Sequence, residues 1–235
     1  KYSESLGIKF IFSAKPTALK KKRKCFKLYY ETKGDKKSID TYAVFNTTGR
    51  VPALDGLDLE NGNVSFNENG VETNNYLQST SNSKVYACGD VSDKNLPLTP
   101  LSGRQGYVVA ENILNGNKKK LEVPVIPSVV FTLPNMASVG FSEREAKRRY
   151  KNIRINFQVS TDWFNAKRIN APLYVYKTII NERTGEIVGA HLLGPDAGET
   201  INIFAMAINN NMTDKDIKST IFSYPSWVND IKSMV

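Results

Sequence analysis

Histidine is nearly absent from this sequence: His191 is the only one among 235 residues. A zinc site needs three or four Cys, His or carboxylate ligands at set spacings, and no such set accompanies His191, so no metal is expected. His191 lies in the apolar stretch from Ile187 to Leu193, where a packing role is expected. Cysteine is scarce too. Cys25 and Cys88 are far apart, and neither forms a C-x-x-C or C-x-x-x-x-C pair, so these residues carry no redox pair of their own. Two separate thiols suit a reducing compartment, and a cytoplasmic location is expected. No apolar run reaches the roughly 20 residues of a membrane helix, so no membrane partner is expected. No apolar h-region marks a secretory leader. No G-x-G-x-x-G follows a strand, so neither dinucleotide fingerprint is present. The chain starts at Lys1, and Tyr2 to Gly7 reads as the tail of a helix, which points to a piece of a longer protein.

Positive charge is plentiful. Thirty-two basic residues against 23 acidic ones leave a net charge of +9. Lys20, Lys21, Lys22, Arg23 and Lys24 form a continuous basic run. Such a run can contact nucleic acid or an anionic surface. It can equally be a solvated hairpin tip or a strand edge, where lysines block unwanted pairing. No aromatic stacking platform accompanies the run along the sequence, so the solvated reading is favoured and no nucleic-acid partner is expected.

The periodicity is mixed. Ile8 to Phe12 reads as a strand, and Phe26, Leu28 and Tyr30 alternate with Lys27 and Tyr29 as in a half-buried strand. After a turn at Lys33, Gly34 and Asp35, a third strand is expected from Ile39 to Phe45, giving a meander. Residues 51–83 are loop-rich. Val85 to Cys88 reads as a short buried strand ending in Gly89 and Asp90, and Arg104 to Leu114 as a helix closed by Asn115 and Gly116. Residues 118–127 form a linker. Beyond it, strands are expected at 128–132, 137–141, 153–160, 173–180 and 187–193. Ser142 and Glu145 have capping-box spacing. Ile201, Phe204, Ala205 and Ile208 fall on one helix face. Thr213 opens another helix, and a last one follows Tyr224-Pro225.

The stretch Val85-Tyr86-Ala87-Cys88-Gly89-Asp90-Val91 bears on chemistry. An acid at the C-terminal end of a buried parallel strand sits where α/β sheets bind ligands, and a glycine there lets a ligand approach the backbone. Alone, Asp90 is better explained as a helix or turn cap. The neighbours decide otherwise. Thr48-Gly49-Arg50-Val51-Pro52 precedes it, and Leu98-Thr99-Pro100-Leu101 opens a helix after it. Pro127-Ser128-Val129-Val130-Phe131-Thr132, Ala137-Ser138-Val139-Gly140, Gly185-Glu186-Ile187-Val188-Gly189-Ala190-His191 and Gly194-Pro195-Asp196-Ala197-Gly198-Glu199 follow in order. From about Ile39 to the C-terminus this order resembles the pyridine nucleotide-disulfide oxidoreductase family, which includes glutathione reductase, dihydrolipoamide dehydrogenase and mercuric reductase.

The resemblance implies an α/β plus α+β architecture: the C-terminal part of a FAD/NAD(P)-binding Rossmann-like region, then a dimerisation domain built of an antiparallel sheet with helices. It implies a remnant of an NAD(P)-binding domain at residues 1–50, the C-terminal segment of a FAD-binding domain at 51–120, and the dimerisation domain at 121–235. It implies a flavin-dependent NAD(P)H oxidoreductase that uses FAD and NAD(P)H and works as a homodimer on a disulfide or another small acceptor. By resemblance, Gly89, Asp90 and Val91 meet the FAD ribitol, and Leu98, Thr99 and Pro100 bring a helix N-terminus to the flavin's pyrimidine edge. Val129 is placed near the nicotinamide. Where disulfide reductases carry His-Pro-Thr and a following Glu, this sequence has Tyr224-Pro225-Ser226 and Asn229. A tyrosine, whose pKa is ordinarily about 10, cannot replace imidazole as a base near neutrality. Tyr224 is therefore expected either to donate a hydrogen bond, as tyrosines do in the related coenzyme A-disulfide reductases, or to serve as packing. A cis Tyr224-Pro225 bond is expected. The apolar helix face of Ile201, Phe204 and Ile208 is expected to lie partly against a twofold mate. The chain by itself is expected to be catalytically inactive and to bind FAD weakly or not at all.

Overall fold

The computed structural model describes residues 1–94 and 96–235. A short helix, α1 (Tyr2–Ser5), leads into a three-stranded antiparallel meander of β1 (Ala14–Lys21), β2 (Phe26–Thr32) and β3 (Asp35–Thr41). The first expected strand is misplaced. Residues 8–12 form no strand, and β1 is instead the lysine-rich segment after them. Its exposure explains the error: seven of its eight residues face water, so no apolar alternation marks it. The third strand ends at Thr41, short of Phe45. The basic run occupies the end of β1 and the hairpin tip, where the Lys22 N–H donates to the Cys25 carbonyl at 2.8 Å.

A loop-rich segment follows, and among its described residues the only strands are the two-residue β4 (Phe66–Asn67) and β5 (Gly70–Val71). Val64, Val71 and Ala87 form its small core. The expected strand at 85–88 is absent. Tyr86 makes a single antiparallel bridge to Gln78, and Gly89–Val91 form a turn of 3-10 helix. Side-chain bonds replace a ladder here, as Thr73 donates to Asp93 at 2.8 Å and Asn74, Gln78 and Asn117 interlock. Such amide and hydroxyl networks have no period for a sequence reading to detect.

Helix α2 spans Thr99–Asn115, starting five residues before the expected Arg104. Leu98 at its N-cap offers no side-chain acceptor, so no cap signal announces the start, while Pro100 fits the first turn because its missing N–H would be unpaired there anyway. Its inner stripe is Leu101, Gln105, Val108 and Asn112, all buried. Its outer face leaves Tyr107, Ile113 and Leu114 at 80%, 61% and 82% exposure.

The last part is a five-stranded antiparallel sheet of β6 (Ser128–Val130), β7 (Asn135–Gly140), β8 (Ile153–Val159), β9 (Val175–Asn181) and β10 (Ile187–Gly194), in the order β6-β7-β10-β9-β8. Helix α5 (Ala197–Asn209) lies on one face and buries Ile201, Phe204 and Ala205 against the sheet together with Ile231, Met234 and Val235. On the other face α3 (Glu143–Arg149) covers Ile179 and Val188. The Ser142–Glu145 capping box is present as expected. Two further helices, α4 (Phe164–Arg168) and α6 (Asp214–Ser219), pack at the edges. The helix expected after Tyr224-Pro225 is a 3-10 turn at Val228–Ser233. Among the described residues, no helix is long and apolar enough to cross a membrane.

The expectation for α5 is overturned at two of its three residues. Ile201 and Phe204 are fully buried in the chain's own core, so these side chains meet the sheet and not a mate, while Ile208 is half-buried.

Candidate functional site

The site is built where the Gly89–Val91 turn meets the start of α2. The Gly89 N–H donates to the Oε1 of Gln105 at 2.6 Å, tying the turn to the helix's second turn. Gly89 has φ +75°, a left-handed conformation that side-chain-bearing residues adopt only under strain, and a Cβ there would lie 3.3 Å from the Ser102 hydroxyl. Gly70 serves a related need. A Cβ there would stand 2.5 Å from the Val91 carbonyl, so only glycine lets β5 lie against this turn.

Asp90 is exposed, and its carboxylate lies 3.4 Å from the guanidinium of Arg50. Arg50 also donates to the Pro97 carbonyl at 3.0 Å. One arginine thus connects the carboxylate to the segment just before α2. The cleft beside them, about 500 Å³, is lined in part by Gly49, Arg50, Asp90, Ser92 and Pro97. The start of α2 has no side-chain cap; the Leu98 N–H donates to the Leu96 carbonyl at 2.7 Å and Pro100 has none, so the N–H groups of Thr99 and Leu101, with the positive end of the dipole, face an incoming acceptor. A carboxylate for hydroxyl groups, a bare helix start and a glycine turn suit a polyhydroxylated, electron-rich ligand.

The structure therefore brings Gly89, Asp90, Val91, Leu98, Thr99 and Pro100 into one neighbourhood. Val129 is elsewhere. It sits on β6 in the five-stranded sheet, against Gly198 at the start of α5. Tyr224 is elsewhere again, 67% exposed, with its ring 5.8 Å from that of Phe164. The Tyr224-Pro225 peptide is cis, as expected, and Leu133-Pro134 is a second cis bond that was not. The Tyr224 loop is anchored behind its tip. Trp227 packs edge-on to Tyr174 at 5.0 Å, and Asp230 accepts from the Tyr174 hydroxyl at 3.0 Å and from Asn165. Burial, then the nearby Asp230 charge, push the Tyr174 hydroxyl well above its usual pKa, so it stays a donor. Among the described residues no hydrogen bond joins Tyr224 to Asn229. His191 is half-buried on β10, its Nε2 3.2 Å from the Phe141 carbonyl, consistent with the packing role expected of it. No cluster of metal-binding side chains occurs among the described residues. Arg50 and Gln105 are the site residues that sequence reasoning passed over. Arg50 was visible only as part of the Thr48-Gly49-Arg50 motif, and Gln105 only as a polar residue on a buried stripe.

Comparisons with known proteins give the family. Residues 126–235 match the model of the pyridine nucleotide-disulphide oxidoreductase dimerisation domain, and residues 1–106 match the pyridine nucleotide-disulphide oxidoreductase model. The chain belongs to the pyridine nucleotide-disulphide oxidoreductase family. It is 48% identical over 180 residues to an uncharacterized 19.7 kDa protein in the mercuric resistance operon of Staphylococcus aureus, covering 76% of this chain and all of that one. It is 32% identical to glutathione reductase of Burkholderia cepacia over 86% of this chain and 44% of that protein. It is 29% identical to mercuric reductase of Staphylococcus aureus over 96% of this chain and 41% of that protein. The chain thus spans less than half the length of those two reductases. The HOCl-induced flavoprotein disulfide reductase of Escherichia coli shares the fold, with a TM-score of 0.85 at 23% identity, covering 98% of this chain and 52% of that one. The fold class read from the sequence, a Rossmann-like C-terminal part followed by a dimerisation domain, is the observed one.

Proposed function

We propose that this oxidoreductase-family chain carries the C-terminal portion of a flavin-dependent NAD(P)H oxidoreductase, with residues 1–50 from an NAD(P)-binding domain, 51–120 from a FAD-binding domain and 121–235 as the dimerisation domain. FAD, when bound, supplies two-electron chemistry between NAD(P)H and an acceptor. The chain's own part is to hold and orient. Asp90 would accept hydrogen bonds from the ribitol hydroxyls, with Arg50 keeping its carboxylate in place. Gly89 and Val91 would admit the sugar chain to the backbone. At the start of α2, formed by Leu98, Thr99 and Pro100, the Thr99 N–H and the positive dipole end would face the flavin's pyrimidine edge. Val129 would lie toward the nicotinamide.

The observation that carries this reading is the junction of the Gly89–Val91 turn with α2 through Gln105, which sets the Asp90 carboxylate beside an uncapped helix start. Tyr224 stands where the family's disulfide reductases place an imidazole, and it would act there as a hydrogen-bond donor. A homodimer through residues 121–235 is supported by exposed apolar side chains of that region, Ile221 at 93% and Leu133 at 88%. Most of both dinucleotide sites would come from sequence that this chain does not contain.

The test is direct. Purified chain is mixed with FAD and passed through a desalting column, then assayed for flavin absorbance and NADPH oxidation, and its mass is measured by sedimentation. We expect a colourless, inactive dimer. A yellow chain that oxidises NADPH would refute the claim that these residues supply only part of the machinery.

A further inference from the structure

The meander carries most of the molecule's charge imbalance. Residues 14–41 hold ten basic side chains against three acidic ones, a net of +7 out of +9 for the whole chain. Two of the ten are neutralised, Lys22 by Asp40 at 2.9 Å and Lys37 by Asp35 at 3.5 Å. The remaining eight make no ion pair among the described residues. The strand register sorts them onto faces, since directly opposed residues share a side of the sheet. One face carries Leu19, Leu28 and Ile39 in a row. The other carries Lys20 opposite Lys27 opposite Asp40, then Ala18 opposite Tyr29 opposite Ser38, then Lys15 opposite Glu31 opposite Lys36. Tyr29 is the centre of this second face. The ammonium groups of Lys20 and Lys27 each stand 5.7 Å from its ring centroid.

We propose that this face of the meander, with the adjoining hairpin tip, binds the backbone of single-stranded nucleic acid, the lysines meeting phosphates and Tyr29 offering a ring for a base. The sequence alone argues against it, because Phe26, Tyr29 and Tyr30 follow the lysine run without any sign that one of them shares its face. Pairing of β1 with β2 supplies the aromatic, and β1 was not recognisable as a strand. An extended strand of phosphates suits lysines spread along the face from the Lys20–Lys27 pair to the Lys15–Glu31–Lys36 row. Nine of the ten cations are lysines, point charges without a bidentate fork, so the contact reads charge and not base identity. An acidic lipid surface would need the charges but would make no use of a ring set between two of them. Glu31 is the one acidic group on this face without a lysine partner, and it leaves the face strongly positive.

The test uses the full chain and a fluorescent oligothymidylate, followed by anisotropy at rising salt. We expect binding that weakens steeply with salt. The variant Lys20→Gln/Lys27→Gln/Lys36→Gln should bind at least tenfold more weakly, with the salt slope shallower by about 0.7 per lysine removed. Tyr29→Leu should lose about tenfold in affinity with the slope unchanged. The exposed lysines Lys118, Lys119 and Lys120, changed together to Gln, should leave binding intact. No binding at low salt, or equal weakening by the control triple, overturns the proposal. So does binding to phosphatidylserine vesicles without binding to the oligonucleotide. Unchanged affinity in Tyr29→Leu overturns the role of the ring.

Discussion

Gly89 fills two requirements at once: a backbone turn with φ +75° and room for the Ser102 hydroxyl. Replacing it with alanine imposes a left-handed conformation on a residue with a Cβ, which costs on the order of 1–2 kcal/mol. Gly89→Ala should lower the thermal midpoint of the chain, and a melting curve unchanged within error would show that the turn relaxes freely. The same residue shows what a sequence can disclose. Gly89-Asp90 is readable as a ligand turn only through the ordered motifs on either side, since glycine and aspartate are ordinary turn residues by themselves. Arg50 and Gln105 are not readable in that way. An arginine in a loop and a glutamine on a helix are ordinary, and only the fold shows that they tie the turn to α2.

Helices and strands differ in how openly they announce themselves. The Ser142–Glu145 capping box and the β9–β10 hairpin were legible, since their signals are local. Strand β1 was not, because Leu19 is its one large apolar residue and no regular alternation marks it. The α5 face was read correctly as apolar and assigned to the wrong partner, for periodicity states which face is buried and not against what. Phe204 has no exposed surface, so Phe204→Ala should cost about 3–5 kcal/mol, checked by chemical denaturation. An outcome under 1 kcal/mol would mean that α5 is not anchored by this ring. Glu143 supplies a pH test for α3. Hydrogen bonds from Lys147 at 2.7 Å and Lys177 at 2.8 Å pull its carboxyl down to about 2. A carboxyl with a depressed folded-state pKa stabilises above its unfolded value, and that benefit is lost as pH falls through the folded value. The difference in melting temperature between the wild type and Glu143→Gln should therefore be present at neutral pH and shrink from about pH 4.5 to about pH 2. A difference that grows on acidification would contradict the pairing.

At the scale of the molecule, the order of motifs along the chain carried the family, and composition alone could not have done so. Ile221 is 93% exposed, so a charge there does no harm to the fold of one chain. Ile221→Asp should shift sedimentation from dimer toward monomer while leaving the melting profile of the monomer fold intact. An unshifted dimer would place the mate on another surface.

The outer side of α2 has a further consequence. Tyr107, Ile113 and Leu114 stand in water along one helix flank, with Gly103 and Gly106 leaving open space between turns. A greasy flank of that length makes the chain adhesive. It should light up an environment-sensitive dye such as anilinonaphthalene sulfonate, and it should attract chaperones in a cell until an apolar surface from another segment or protein lies along it.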